Sequence, residues 1–169
     1  GHLGRLVISA LLKRVPPATI VAVVRNVEKA RNIAALDVHV RRADYNQPPM
    51  WDDALKGADK VLMISSSEVG QRAKQHRAVI DAARRAGVKL LAYTSVLRAD
   101  TSPLGLAAEH IKTEALIRAS GIPFTLLRNG WYTENYTAGI SGALAHGAVY
   151  GCAGEGRIAS AARADYAEA

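Results

Sequence analysis

Short β-branched runs alternate with helical segments along the whole chain, and this alternation limits the fold more than any other feature. Residues 20–24, 38–41, 61–64, 88–92 and 124–127 read as strands. Leu3, Leu6, Val7, Ala10 and Leu11 recur at helical spacing ahead of them, and Pro16-Pro17 closes that helix. A polar helical stretch is expected over 27–36, and a short helix from Pro48-Pro49 to Leu55, stopped by Gly57. Val69, Ala73, His76, Ile80 and Ala83 mark one face of a longer helix ended by Gly87, and 109–119 reads as another. Strands joined through helices need crossover connections, which are right-handed and place the strands side by side in parallel. The expected fold class is α/β, a Rossmann-like doubly wound parallel sheet.

Composition agrees. The chain is 49% hydrophobic, chiefly Ala, Val, Leu and Ile, with few aromatics. That suits a parallel sheet covered by helices better than a β-sandwich. No stretch is long and apolar enough to span a membrane, and no secretory signal is visible. Cys152 is the single cysteine, so no internal disulfide forms and a cytoplasmic location is expected. The formal charge is +7, but the pairs Arg41-Arg42 and Arg84-Arg85 are scattered and lack interleaved aromatics. That pattern argues against nucleic acid as a partner and suits a polyanionic dinucleotide. No His, Cys or carboxylate cluster has metal-ligand spacing, so no metal is expected.

Gly1-His2-Leu3-Gly4 opens directly onto a helix. It matches the last two glycines of a G-x-x-G-x-x-G turn, where a pyrophosphate rests on free helix N–H groups and a side chain would block it. The next strand ends at Val23-Val24-Arg25-Asn26. An acid there would read the ribose of NAD; Arg25 instead offers a fork of donors to a 2′-phosphate, so NADPH is expected, with NADH possible. Ligands of open parallel sheets bind at the carboxyl ends of strands. Asp44-Tyr45, Ser65-Ser66-Ser67, Thr94-Ser95 and Asn129-Gly130-Trp131-Tyr132 all fall at such ends.

Both ends of the chain read as interrupted. The expectation is an incomplete NAD(P)-binding Rossmann-like domain over 1–150, with 151–169 starting a C-terminal substrate-binding region. The first strand and most of that region would lie outside the chain. In the usual strand order 3-2-1-4-5-6 the first strand is central. Each backbone group left buried and unpaired costs about 1–3 kcal/mol. The chain by itself is therefore expected to be neither independently stable nor active.

Several stretches together resemble the NmrA-like, atypical short-chain dehydrogenase/reductases, and among them the bacterial NAD(P)H:quinone oxidoreductases of type 2. They are Gly1-His2-Leu3-Gly4, Val23-Val24-Arg25-Asn26, the run from Ile64-Ser65-Ser66-Ser67 through Gln71-Arg72, and Ala92-Tyr93-Thr94-Ser95. Residues 99–107, Leu126-Leu127-Arg128-Asn129-Gly130-Trp131-Tyr132 and residues 158–166 continue the match. The resemblance implies NADPH across the sheet and a small quinone-like substrate. It implies that Gly1, His2, Leu3 and Gly4 hold the pyrophosphate and Arg25 the 2′-phosphate. Ser65, Ser66 and Ser67 would line the middle of the cofactor, with Asn129, Gly130, Trp131, Tyr132, Thr133 and Glu134 near its nicotinamide end; Asp44, Thr94 and Ser95 join the cofactor site from their place at strand ends.

Ordinary short-chain reductases use a Tyr and a Lys four residues apart on one helix to pass a proton to a carbonyl. No tyrosine here has Lys four residues later; the corresponding helix carries His110 and Glu114. That pair reads either as an exposed contact on the helix surface or as part of the site. A quinone accepts hydride without a strong proton donor because the product is an aromatic phenolate. Direct hydride transfer from NADPH is therefore expected, with Tyr132, Tyr136 and His110 as candidate proton sources. The alternative is a non-catalytic NADP-binding redox sensor of the NmrA type, which the missing Tyr-Lys pair fits equally. Trp131 and Tyr132 read equally as a stacking surface and as core. His76, on an apolar helix face, reads as a hydrogen-bonded structural histidine. The sequence leaves the oligomeric state open.

Overall fold

A computed structural model describes all residues, Gly1–Ala169. In chain order the first half forms α1 (His2–Leu11), β1 (Val21–Val24), α2 (Arg31–Ala34), β2 (His39–Arg42), α3 (Met50–Ala54) and β3 (Lys60–Met63). The second half forms α4 (Arg72–Arg85), β4 (Leu90–Val96), α5 (Ala107–Ala119), β5 (Phe124–Asn129) and β6 (Trp131–Tyr132). It ends with α6 (Glu134–Thr137), α7 (Ile140–His146), β7 (Ser160–Ala161) and α8 (Arg163–Glu168). The chain divides into two units, Leu11–Asn129 and a smaller one of Gly1–Ala10 with Gly130–Ala169.

The larger unit is a parallel α/β structure. β1 pairs with β2, and β3-β4-β5 form a three-stranded sheet, every pair parallel. β1 and β3 are not hydrogen-bonded to each other. The orders β1-β2 and β3-β4-β5 each agree with a half of the expected doubly wound order.

Burial explains the strands. Leu91 and Tyr93 alternate on β4 and are fully buried, packed with Met63, Val79, Ile80 and Ile117 in one cluster. Trp51 and Leu55 at α3 extend this core beneath β2 and β3.

Element boundaries differ from expectation: α4 starts at Arg72, so Val69, 77% exposed, lies outside the helix whose face it was expected to mark, and α5 starts at Ala107. α1 ends at Leu11, before Pro16-Pro17, because the Leu11 carbonyl closes a turn with the N–H groups of Arg14 and Val15. The polar stretch after β1 is a 3₁₀ turn, Glu28–Ala30, followed by one α-turn. β4 and β5 run further than their apolar cores. The register Thr94↔Leu127, Ser95↔Arg128 and Val96↔Asn129 carries polar residues into the ladder, so Thr94 and Ser95 lie inside β4. Strand partners, not side-chain apolarity, extend these ends.

In the smaller unit, β6 pairs with β7 in parallel. The Thr133 N–H donates to the Ala161 carbonyl and the Gly130 N–H to the Tyr166 hydroxyl. α8 starts where the Asp165 carboxylate accepts the Ala162 N–H, three residues back.

Candidate functional site

In the larger unit the polar residues collect at the carboxyl ends of the parallel strands. Arg25 follows β1 directly and is exposed, with no ion pair and no hydrogen-bond partner. Asn26 beside it accepts the Lys29 N–H and so caps the following turn. After β2, the Asp44 carboxylate accepts the Asn46 N–H and the Asp44 carbonyl accepts the Trp51 indole N–H. Tyr45 donates its hydroxyl to the Ile64 carbonyl at 2.8 Å, and burial with Tyr93 nearby pushes its pKa up to about 12.

The three serines after β3 differ in their surroundings. Ser65 is half-buried, and its N–H donates to Thr94 Oγ1 at 2.9 Å. Ser67 is exposed. Ser66 is buried, and α4 holds it: its N–H donates to His76 Nε2 (3.0 Å), its hydroxyl to Gln75 Oε1 (2.6 Å), and its carbonyl accepts Arg72 Nε–H (2.6 Å). Gln75 in turn donates to Asn46 Oδ1 and Glu68 Oε2. The loops after β2 and β3 are thus tied to one face of α4.

A backbone N–H can only donate, so His76 Nε2 carries no proton. The neutral ring is then protonated at Nδ1, which donates to Thr113 Oγ1 at 3.0 Å, and the Thr113 hydroxyl in turn donates to the Glu109 carbonyl. His76 is fully buried, and desolvation, with His110 and Arg72 nearby, lowers its pKa to about 4. It is the hydrogen-bonded histidine the sequence predicts.

His110 and Glu114 overturn the helix-surface reading. Both are buried and face β4, because they lie one turn apart on α5 opposite Tyr93 and Ser95, two residues apart on the strand. The Tyr93 hydroxyl lies 2.7 Å from His110 Nδ1, and Ser95 Oγ donates to Glu114 Oε1 at 2.6 Å. Glu114 also takes two bonds from Arg128, at 3.0 and 2.8 Å. Burial pushes the Glu114 carboxyl up, but the hydrogen bonds from Arg128 and Ser95 outweigh it and hold the pKa below the usual value. Desolvation keeps His110 below the ordinary histidine pKa and Tyr93 above the ordinary tyrosine one, so both are neutral at neutral pH.

Glu109 reaches from α5 to α4, where its carboxylate accepts the Arg72 N–H in the first turn at 3.2 Å. Arg72 Nη1 and Glu109 Oε2 stand 3.8 Å apart, both buried and without a hydrogen bond.

In the smaller unit Gly1 precedes α1 directly, and a Cβ placed on Gly1 would meet nothing within 4 Å. His2 is exposed, Leu3 buried and Gly4 half-buried. Trp131 is 40% exposed. Tyr132 stacks edge-on with Tyr166, and the Arg163 guanidinium lies 4.7 Å from its ring centre. Glu134 accepts the Arg163 N–H with both carboxylate oxygens, and Thr133 Oγ1 donates to Ser160 Oγ. Tyr136 is half exposed.

Arg72, Gln75, His76, Asn46 and Glu68 are absent from the sequence-derived site. One signal could have found the first three: their i, i+3, i+4 spacing on the helix that follows a serine run.

Comparison with known proteins places these features in context. A family model described as NAD(P)H-binding matches residues 1–167. Quinone oxidoreductase 2 of Escherichia coli (strain K12) is 60% identical over 169 residues, which is all of this chain and 59% of that protein. The crystal structure of an NADPH-dependent quinone oxidoreductase from Escherichia coli, complexed with NADPH, superposes with a TM-score of 0.94 over 99% of this chain and 59% of that one. The Citrobacter sp. triphenylmethane reductase complexed with NADP(H) is 43% identical, with a TM-score of 0.95 over 99% of this chain and 60% of that one. The chain thus spans about three-fifths of the length of these relatives.

Proposed function

The chain belongs to the NAD(P)H-binding family, and on that premise we propose that it holds NADPH for two-electron reduction of quinones by direct hydride transfer. The observation that carries the cofactor half is Arg25. An unpartnered, exposed guanidinium stands directly after β1, where an acid would be needed to favour NAD. The acceptor half is supported by the 60% identity to a quinone oxidoreductase.

The residues present fit the cofactor. Gly1 opens directly onto α1, whose first N–H groups have no intrahelical acceptor and suit a pyrophosphate. Arg25 supplies charge for the 2′-phosphate. Asp44, Ser65, Ser66, Ser67, Thr94 and Ser95 line the cofactor's course. The Thr94 and Ser95 side chains are also engaged with Ser65 and Glu114. Gly1, His2, Leu3 and Gly4 hold the pyrophosphate; Asn129, Gly130, Trp131, Tyr132, Thr133 and Glu134 lie near the nicotinamide end. NADPH supplies the hydride.

The chain's own work is positioning and proton supply. Tyr132, Tyr136 and His110 are the candidates for the proton. His110 is the most constrained, since its Nδ1 is paired with buried Tyr93. Tyr136 is the most accessible.

Steady-state NADPH oxidation by the full-length protein with a simple benzoquinone tests this reading. Turnover that depends on both substrates is expected. Tight NADPH binding without turnover would favour the redox-sensor alternative.

A further inference from the structure

We infer that Arg72, Gln75 and His76 are positioning residues that hold the Ser65-Ser66-Ser67 loop in its cofactor-binding shape by engaging the N–H, the hydroxyl and the carbonyl of Ser66. This rests on the proposal that the serine loop contacts the dinucleotide.

The geometry is specific. Ser66 has one backbone donor, one backbone acceptor and one hydroxyl, and each meets a different α4 side chain at 3.0 Å or less. The three side chains sit at i, i+3 and i+4, so they share one helix face. Ser66 is thus held at all three of its polar groups, and its carbonyl also accepts the Ser65 hydroxyl at 3.3 Å. Its neighbours Ser65 and Ser67 remain half-buried and exposed. One buried serine acts as the anchor on which two accessible serines are presented.

The anchor is itself braced. Thr113 on α5 fixes the His76 ring. The Glu109 carboxylate fixes the start of α4 at Arg72. Gln75 carries the restraint to Asn46 in the loop after β2 and to Glu68 beyond the serines. A loop ordered before the ligand arrives binds it without paying ordering entropy at that moment. Fully satisfied polar networks of this kind rigidify their surroundings.

His76 is the discriminating position, since it accepts through Nε2. Gln places an amide oxygen at similar reach and keeps the acceptor, whereas Leu removes it. The first readout needs no cofactor: hydrogen exchange of the Ser66 amide in the free protein, with ¹⁵N shifts of the His76 ring. In the wild type the Ser66 amide is expected to be protected and His76 to be neutral, protonated at Nδ1. His76→Leu should raise Ser66 exchange by about a hundredfold, and His76→Gln by no more than about threefold. The second readout is NADPH dissociation by fluorescence, where His76→Leu should weaken binding about tenfold with little change in kcat, and His76→Gln should restore it.

A Ser66 amide in wild-type protein that exchanges as fast as an open loop overturns the inference, even if His76→Leu does not fold. Equal NADPH affinity in wild type and His76→Leu overturns it as well. Protection of Ser66 without any NADPH binding by the wild type would leave the clamp as a structural feature only; it would overturn both the positioning role and the cofactor proposal.

Discussion

The Tyr93 hydroxyl and His110 Nδ1 meet at 2.7 Å inside the larger unit, strand to helix, with Tyr93 wholly buried and His110 6% exposed. Each satisfies the other's polar atom where water does not reach. Tyr93→Phe removes one partner and strands the other. The expected loss is about 1–3 kcal/mol of stability, read by denaturant melts. If His110 supplies the proton, the same variant should also shift the pH profile of turnover. An unchanged profile with lowered stability would confine the pair to a structural role.

Arg25 is expected to set the cofactor preference. Arg25→Glu replaces a free cation with an anion at the end of β1. NADPH affinity should fall by about tenfold or more while NADH affinity changes little. Titration of both dinucleotides against wild type and variant measures this. An unchanged ratio would place the 2′-phosphate elsewhere.

His76 makes acid stability predictable in sign. Its pKa of about 4 lies below the ordinary 6.5, because burial disfavours the cation. Between those values the unfolded chain binds a proton that the native state refuses. Stability is therefore full above pH 6.5 and declines as the pH falls toward 4, by about 3 kcal/mol in all for this group. The groups that face it are Arg72 on its own helix, His110 and Thr113 on α5, Tyr93 on β4 and Tyr45 after β2. Urea melts at several pH values should show a shallower decline in His76→Gln than in wild type.

Tyr132→Phe separates positioning from proton donation at the other candidate. Arg163 and Tyr166 pack against the Tyr132 ring, and Phe retains those ring contacts. If positioning suffices, turnover should fall by less than about tenfold at unchanged NADPH affinity. A loss of several orders of magnitude would make this hydroxyl the donor.

Periodicity determined the class of fold and the order of its elements, because strand and helix repeats are local properties of the chain. The strand after Pro16-Pro17, the β3 strand running into the serines and the α4 face with His76, Ile80 and Ala83 needed no tertiary information. The placement of Arg25 after a strand was equally local. Tertiary structure decided where the strands stop and which way side chains turn. Thr94 and Ser95 entered β4 only because β5 lies beside them. The sequence left His110 and Glu114 open between a surface contact and part of the site, since a helix alone does not reveal that the strand opposite carries hydroxyls at matching spacing. The Ser66 clamp was invisible for the same reason. A hydrogen bond between a loop and a helix depends on the angle at which the chain folds back, and that angle is set by packing of the whole core.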